Sequence, residues 1–275
     1  MAKIAVVILN YNSWQETLKE ITILNDKIGI LNQDIIIVDN DSPNDSDEQL
    51  SKREKELGYK YIQSGNNKGY AAGNNIGLRY AYEQRYDYAL IINNDILISD
   101  EQMLQKLVKI FERDESLAVV NPKIFAPDGH LYNYDASKPT FWDLTLGMLS
   151  YRKKGRNIID RGGYGYVFRP QGCCMLLDLK KTKEVDFMDE NTFLYVEEPI
   201  LAARLEKKGY KCACCLETDI IHNHSVTVKS TFQKRKIVKI HNKSYAYYLK
   251  EYRKYNLLQR SICLCLHWLK LMVLG

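Results

Sequence analysis

The feature that most constrains the fold is a unit that recurs along the first part of the chain. In each copy, a short apolar run rich in β-branched residues ends in Asn or Asp, and a helical pattern follows; the runs lie at 2–9, 34–38 and 88–92. Such runs are typical of strands buried on both faces, and strands that alternate with helices favour a parallel sheet. We therefore predict an α/β fold in which helices flank a mostly parallel central sheet.

The boundaries of the elements follow from the same periodicities and from clusters of turn residues. The predicted strands are Ala2–Leu9, Asp34–Val38, Lys60–Gln63, Tyr88–Ile92, Cys173–Asp178 and Lys211–Cys215. The predicted helices are Trp14–Asn25, Asp47–Leu57, Ala71–Gln84, Glu101–Arg113 and Pro199–Lys208. Residues 121–167 contain scattered Pro, Gly and Tyr, which predicts a long irregular segment that passes over a cleft. The chain is predicted to be helical from about Ile237 onward.

Polar residues follow three of the predicted strands. They are Asn10-Tyr11-Asn12, Asp39-Asn40 and Asn93-Asn94-Asp95. Any one of these groups is typical of a turn or a helix cap. Open parallel sheets bind ligands at the carboxyl ends of their strands, so the three groups together indicate a binding edge.

A loop rich in Gly and Asn, residues 65–75, precedes the third predicted helix. Glycine lets the backbone approach a ligand, and the free amides of a helix N-terminus favour a negative group. No Gly-Lys-Ser/Thr closes this loop, and it does not follow the first strand as a dinucleotide-binding glycine motif does. These spacings argue against a mononucleotide kinase and against a dehydrogenase.

Taken together, these segments resemble the inverting glycosyltransferases of family 2, which have the GT-A fold, and in particular their rhamnosyltransferase-like branch. The matching segments cover about residues 4–225 and are, in order, Val7–Asn12, Ile37–Ser42, Asn67–Asn75, Ile91–Asp95, Phe187–Glu190, Phe193–Glu198 and then His222. The resemblance implies transfer of a sugar from dTDP-rhamnose or a UDP-hexose. The implied acceptor is a hydroxyl of a glycan or a lipid diphosphate in bacterial surface polysaccharide synthesis.

The resemblance also implies a donor site. Asp39 is expected to accept a hydrogen bond from the imide of the nucleotide base, in a pocket lined by Asn10 and the backbone around Tyr11. The donor-binding residues carried over in this way are Asn10, Tyr11, Asn12, Asp39, Asn67, Gly69, Gly73, Asn74 and Asn94.

A divalent metal, Mg²⁺ or Mn²⁺, is implied at Asp95, the last position of the family's Asp-x-Asp-type motif. Hard cations prefer oxygen ligands and take many of them from phosphates and water. Asn93 stands where a full motif has its first Asp, so we expect the metal to bind together with the donor. His222 is the implied further ligand, with His224 as the alternative if the alignment shifts by two residues.

The implied general base for inversion is Glu198, which aligns with the acid that ends the family's Glu-Asp pair. Pro199 favours a helix start directly after it. Glu197 remains the alternative base, and the chain has Ile200 where the family pattern continues with another Asp. The implied acceptor-side residues are Gly172, Asp189, Glu190 and Glu197.

The chain from Lys229 onward carries eleven Lys or Arg and one acid, whereas the preceding residues carry 28 basic and 33 acidic residues. We therefore expect a GT-A domain at 1–228, with a nucleotide half at about 1–120 and an acceptor half at about 121–228, and a basic helical tail at 229–275. The tail ends in an apolar segment too short and too polar to span a bilayer, which favours an anchor on an anionic membrane surface. The alternative is a tail that packs on its own domain or on a second subunit in a homodimer.

No secretory signal is visible, and the seven cysteines are predicted to be reduced thiols. These features predict a cytoplasmic protein at the inner face of the cell membrane. A sugar-nucleotide pyrophosphorylase is the nearest enzymatic alternative, but residues 9–14 hold neither the glycine nor the basic residue that it needs. A nucleic-acid-binding role for the tail leaves the strand-end acids unexplained, so no nucleic-acid partner is expected.

Overall fold

The computed structural model describes residues 2–132, 135–145, 158–223 and 234–274. In these residues, one nine-stranded sheet forms the centre of the molecule, with eight strands in the order β3-β2-β1-β4-β8-β6-β9-β5 and β7 beside β9. The strands are β1 (Ile4–Asn10), β2 (Ile35–Asp39), β3 (Lys60–Gln63), β4 (Tyr88–Ile92), β5 (Ile96–Ile98), β6 (Leu117–Phe125), β7 (Tyr164–Val167), β8 (Cys174–Asp178) and β9 (Lys211–His222).

The two halves of the sheet differ in direction. Strands β3, β2, β1 and β4 are all parallel. Most residues of β1, β2 and β4 are buried, as a continuous apolar run predicts, whereas in β3 only Tyr61 is buried. Beyond β4 the sheet is mixed, because β8 runs antiparallel to both β4 and β6 and only β6 and β9 pair in parallel. The predicted mostly parallel arrangement therefore describes the first half and not the second.

Helices cover both faces of the sheet. Those before the tail are Trp14–Ile28, Ser46–Leu57, Tyr70–Glu83, Met103–Arg113, Phe141–Leu144, Leu179–Lys183 and Glu197–Glu206, with a 3₁₀ turn at Asn32–Asp34. The helix Tyr70–Glu83 lies very close to β1, since a Cβ at Gly73 would come within 2.5 Å of Leu9 and one at Gly77 within 2.5 Å of Val7. Glycine at these positions lets the helix carry its N-terminus to the edge where β1 and β2 end.

Several predicted elements differ from the structure, and strand β6 was not among those predicted. The stretch 121–167 is not irregular throughout, because it contains the end of β6 and all of β7. The strand predicted at Lys211–Cys215 continues to His222, and the short strand β5 was not predicted. These elements are defined by pairing with β9, which their own short sequences do not reveal.

The tail forms two helices, Lys234–Glu251 and Leu257–Leu274, which we call the tail helices. They pack on the rest of the chain through a hydrophobic cluster in which Ile200 is fully buried. The tail residues of its buried centre are Tyr245, Tyr248, Leu249 and Cys263. In the described ranges, no helix combines the length and the apolar character needed to cross a bilayer.

Candidate active site

The carboxyl ends of β1 and β2 are joined by a buried polar network. Asn10 and Asp39 are fully buried, and the Asn10 amide donates to Asp39 Oδ1 at 2.6 Å. Ser42 donates to Asp39 through both its backbone N–H (3.0 Å) and its hydroxyl (2.6 Å), and Gln63 donates at 3.1 Å. The hydroxyl of Ser42 also accepts from the Asn12 backbone N–H. Each Asp39 oxygen therefore accepts two hydrogen bonds from the protein.

This network continues to the end of β4 through the first helix. Asn10 Oδ1 accepts from the hydroxyl of Thr17 at 2.8 Å. The same hydroxyl, together with that of Ser13, accepts from the amide of Asn94, each at 2.8 Å. Asn94, predicted as a donor ligand, thus holds the β4 end against the helix, and Tyr11 lies between Asn10 and Asn12 at the same edge.

The Gly/Asn loop is fixed by its own asparagines and by a distant segment. Asn67 Oδ1 accepts from the amide of Asn40 (3.1 Å) and from the backbone N–H of Gly69 (3.0 Å). Gly69 has φ +104°, and a Cβ there would lie 2.0 Å from the carbonyl oxygen of Phe193. Only glycine fits this contact, which joins the loop to residues next to the predicted base. Asn74 instead donates to the Tyr70 carbonyl within its own helix.

Asp95 and His222 meet at this edge, as the metal prediction requires. His222 Nε2 lies 3.2 Å from Asp95 Oδ1, and both side chains are about nine-tenths buried. Residue 222 pairs with Ile96 in the β5–β9 ladder, so the backbone brings the two together. In the part of the chain that the structure describes, no group of three acidic, His or Cys side chains could hold a metal. A carboxylate and an imidazole fit a divalent cation that takes its remaining ligands from phosphate and water. His224 lies outside the described residues.

Glu198 stands on the other side of the same edge. Its Oε1 accepts from the backbone N–H of Gly172 at 3.2 Å, and a Cβ at Gly172 would come within 2.9 Å of that oxygen. The Gly172 carbonyl accepts from the hydroxyl of Tyr70 at 2.7 Å. The next residue, Cys173, accepts from the Asn93 backbone N–H at 2.9 Å, which links Glu198 to the strand end that carries Asp95.

The two adjacent glutamates differ in surroundings. Glu197 is buried, and burial together with the charge of Glu198 raises the pKa of Glu197 to about 8. Tyr195 and Val196, which precede it, both have left-handed backbone with φ near +70°. For a β-branched residue such as Val196 this conformation is rare and costs about 1–3 kcal/mol. The chain is therefore strained where the predicted base begins its helix.

Asp189 and Glu190, predicted on the acceptor side, are held by protein groups. Asp189 accepts from the hydroxyl of Tyr247 on the first tail helix (2.9 Å) and from that of Tyr252, the residue that follows this helix. Burial raises the pKa of Asp189, but hydrogen bonds from Tyr252, Asn191 and Tyr247 outweigh it and hold that pKa below its usual range. Glu190 is paired with Arg79 at 2.7 Å and Asn75 at 2.8 Å.

The structure therefore links most of the predicted donor, metal and base residues along one sheet edge. Sequence reasoning missed the residues that join them, chiefly Thr17, Ser42, Tyr70 and Gln63. Ser42 offered a local signal, because a Ser three residues after an Asp often caps its carboxylate. The Tyr70–Gly172 contact spans 102 residues and offered none.

Comparison with known proteins agrees with this geometry. The family described as glycosyl transferase family 2 matches residues 5–178. The low-salt glycan biosynthesis hexosyltransferase Agl10 of Haloferax volcanii is 25% identical over 225 residues, which cover 81% of this chain and 68% of that protein.

Two solved structures share the fold. GalNAc-T7 with UDP, GalNAc and Mn²⁺ superposes with a TM-score of 0.67 at 14% identity, over 92% of this chain and 49% of that one. The mannosyltransferase PcManGT of Pyrobaculum calidifontis, in complex with GDP-Man and Mn²⁺, gives a TM-score of 0.61 at 11% identity, over 99% and 70%. The chain thus spans about half the length of the first structure. These superpositions confirm the predicted GT-A fold.

Proposed function

The chain belongs to glycosyl transferase family 2, and from that premise we propose that it moves one sugar, with inversion, from a nucleotide-diphosphate sugar to an acceptor hydroxyl. The observation that carries the proposal is the short chain of hydrogen bonds that links the strand end carrying Asp95 to Glu198. Asn93, two residues before Asp95, donates to Cys173, and the adjacent Gly172 donates to Glu198. A metal-side carboxylate and a base are thereby held at one edge of the sheet, as the reaction needs.

In this proposal, the nucleotide binds beside Asp39 at the ends of β1 and β2. Each Asp39 oxygen already accepts two hydrogen bonds from the protein. The imide N–H of the nucleotide base would therefore replace one of these four donors. The amide of Gln63 is the partner that we propose leaves, because its side chain is exposed and its bond is the longest of the four. The glycine loop then offers the amides of its helix N-terminus to the diphosphate.

Asp95 and His222 are the residues that we propose hold Mg²⁺ or Mn²⁺ together with the donor diphosphate. The metal would neutralise charge on the departing nucleoside diphosphate. Two protein ligands leave most of the coordination to the substrate, which supports metal binding that depends on the donor. Both solved relatives described above contain Mn²⁺.

Glu198 is the proposed general base. It takes the proton of the acceptor hydroxyl while that oxygen attacks the anomeric carbon, and the bond from this carbon to the diphosphate oxygen breaks. Glu197 keeps its proton near neutral pH, because burial and its neighbour's charge raise its pKa to about 8. A protonated carboxyl cannot take up the acceptor proton, which supports Glu198 rather than Glu197 as the base.

On the acceptor side we propose that Gly172 and Glu197 line the path to the base. Asp189 and Glu190 are already hydrogen-bonded or ion-paired within the protein, which favours structural roles for both. The proposed acceptor is a glycan or a lipid diphosphate in surface polysaccharide synthesis, with dTDP-rhamnose or a UDP-hexose as donor. A hexosyltransferase of glycan biosynthesis among the relatives supports this class.

A membrane surface is the proposed location of the acceptor. The second tail helix exposes one apolar face, and Leu257 and Leu258 are 73% and 70% exposed. Ile262, Trp268 and Leu269 continue that face at helical spacing, and the exposed Lys254 precedes it. An apolar face beside basic charge fits an anionic lipid surface.

The first test is thermal stabilisation of the protein by dTDP, UDP and GDP, each with and without Mn²⁺. We expect one diphosphate to raise Tm by several degrees in a metal-dependent way. Asp39→Ala and Asp95→Ala should remove this shift, whereas Glu198→Gln should keep it and lose transfer. A folded protein that responds to none of the three nucleotides would contradict the proposed donor site.

A further inference from the structure

We propose that the tail helices are part of the active-site architecture and that Tyr247 and Tyr252, acting through Asp189, are positioning residues for the segment 187–198. This inference rests on the proposed role of Glu198 at the end of that segment. The family match ends at residue 178, so both the segment and the tail lie beyond it.

The segment 187–198 is strained at both ends. Asp186 and Phe187 have φ of 52° and 55°, and Tyr195 and Val196 have φ of 71° and 72°. None of these residues is glycine, and such conformations persist where the surrounding structure over-determines them. Contacts with neighbouring elements must therefore stabilise these backbone conformations.

The first tail helix and Tyr252, which follows it, make polar contacts with both halves of the segment. The hydroxyls of Tyr247 and Tyr252 both donate to Asp189 Oδ2 near the beginning of the segment. Ser244 donates to the Leu194 carbonyl at 2.9 Å in its second half. The ring of Tyr195 stacks on His241 with 4.8 Å between centroids. Tyr195, one of the two strained residues before Glu197, is thus in contact with the tail.

Apolar contacts continue this support into the helix that begins at Glu197. Ile200, two residues after Glu198, is fully buried among Tyr245, Tyr248 and Leu249 of the tail, and Val196 packs against the same cluster. The first turn of this helix, which carries Glu198, is therefore clamped by tail side chains. This also explains an apolar residue at 200, where a carboxylate would be buried among aromatic rings.

On its other side, the same segment touches the donor loop. The Phe193 carbonyl accepts from the backbone N–H of Tyr70, and Glu198 accepts from Gly172. The segment thus lies between the proposed nucleotide site and the tail. Loss of the tail contacts should release Glu198 while the network around Asp39 and Asn10 stays intact.

The test compares three full-length variants. Tyr247→Phe/Tyr252→Phe removes both hydroxyls on Asp189 but keeps the rings, and Asp189→Asn removes the charge that they share. Tyr255→Phe is the matched control, because its hydroxyl lies in the same tail but contacts Arg253 instead. Backbone hydrogen exchange of peptides across 187–198 reports the position of the segment, and peptides across 71–83, which leave out the Tyr70 amide that donates to Phe193, serve as the reference. Release of nucleoside diphosphate reports turnover, and binding of UDP, GDP or dTDP with Mn²⁺ reports the donor site.

We expect exchange across 187–198 to be about tenfold faster in the double variant and in Asp189→Asn, with no change across 71–83. Turnover should fall about tenfold while nucleotide affinity stays within about twofold of wild type, since removal of a hydrogen bond to a charged group is worth roughly that factor. The Tyr255→Phe control should match wild type in all three measurements.

The inference would be overturned if the double variant exchanged across 187–198 at the wild-type rate. It would also be overturned if Tyr255→Phe had the same effects as the double variant. An equal loss of nucleotide affinity and turnover would overturn it as well, because it indicates general destabilisation. Failure of the proposed function looks different: wild type then releases no nucleoside diphosphate from any donor. The exchange comparison decides the role of the tail in that case too.

Discussion

The nucleotide half of the site and the acceptor half are built in different ways. In the nucleotide half, Asn10 and Asp39 each end a buried parallel strand, and they lie 29 positions apart in neighbouring strands. In the acceptor half, the segment 187–198 contains no strand and is held by Ser244 and Tyr252, which lie 50 and 63 positions away from their partners.

This difference shows how each half is stabilised. A sheet edge positions its side chains through backbone geometry, so the polar groups of the nucleotide half support one another once the strands pair. The strained segment depends on side chains from elsewhere. Substitutions in the two halves should therefore separate binding from transfer, and the predictions below test that separation from the largest effect to the smallest.

Glu198→Gln should have the largest effect, because it removes the proposed base and keeps the hydrogen-bond acceptor for Gly172. We expect kcat to fall about 10²- to 10⁴-fold, the range for loss of a general base. Nucleotide binding, measured by calorimetry with Mn²⁺, should stay near wild type. If kcat falls by less than about tenfold, another group acts as the general base, and Glu197 is the first to test.

Ile200→Asp should detach the tail helices, because it places a carboxylate inside the aromatic cluster. We expect a loss of about 3–5 kcal/mol in the free energy of unfolding, from the unpaired buried charge and the lost packing. Leu257→Asp is the control, since Leu257 is an exposed tail residue, and it should change stability by less than about 0.5 kcal/mol. Urea unfolding measures the free energy of unfolding of both variants. Equal losses would show that the buried contacts of Ile200 contribute no more to stability than those of the exposed Leu257.

Gly69→Ala tests the close contact between the donor loop and the segment 187–198. The added Cβ would meet the Phe193 carbonyl, and the backbone conformation at Gly69 suits glycine alone, so we expect a loss of about 2–3 kcal/mol. Gly65→Ala in the same loop has positive φ but open space around it, and should lose about 1 kcal/mol. Similar losses in the two variants would mean that the Phe193 contact contributes little.

Glu197→Gln should have the smallest effect and should depend on pH. The pKa of Glu197 is raised from 4.5 to about 8 in the folded protein, so its contribution to stability is complete below about pH 4.5 and is lost as the pH rises through about 8. The variant should therefore gain about 1 kcal/mol relative to wild type between pH 5 and pH 6. Glu115→Gln, at an exposed position, is the control, and parallel pH profiles of wild type and Glu197→Gln would contradict the prediction.

The strand-end residues could be predicted from sequence because a buried run and its terminal Asn or Asp are adjacent in the chain. Asp95 and His222 were also predicted correctly as neighbours, through the resemblance to the family. Asn94 was predicted to bind the donor, yet its amide is bound by Ser13 and Thr17. That contact depends on how the first helix docks, which no local pattern encodes.

The acceptor half was less predictable for the same physical reason. Asp189 has the sequence context of a surface turn, and its two tyrosine partners become visible only when the tail is folded against it. Ile200 departs from the family pattern, which continues with an Asp, and its burial against the tail accounts for the apolar residue. Strand β7 was missed because its four residues, Tyr164–Val167, are defined by pairing with β9.

The bond between Asp189 and Tyr252 also sets an order of events during synthesis of the protein. All nine strands described here precede residue 223, so the sheet and its nucleotide edge can form on a nascent chain while the tail is still inside the ribosome. The segment with Glu198 gains its support when residues 244–252 emerge. A chain that ended between these points would have the nucleotide edge without the tail contacts that hold the segment of Glu198.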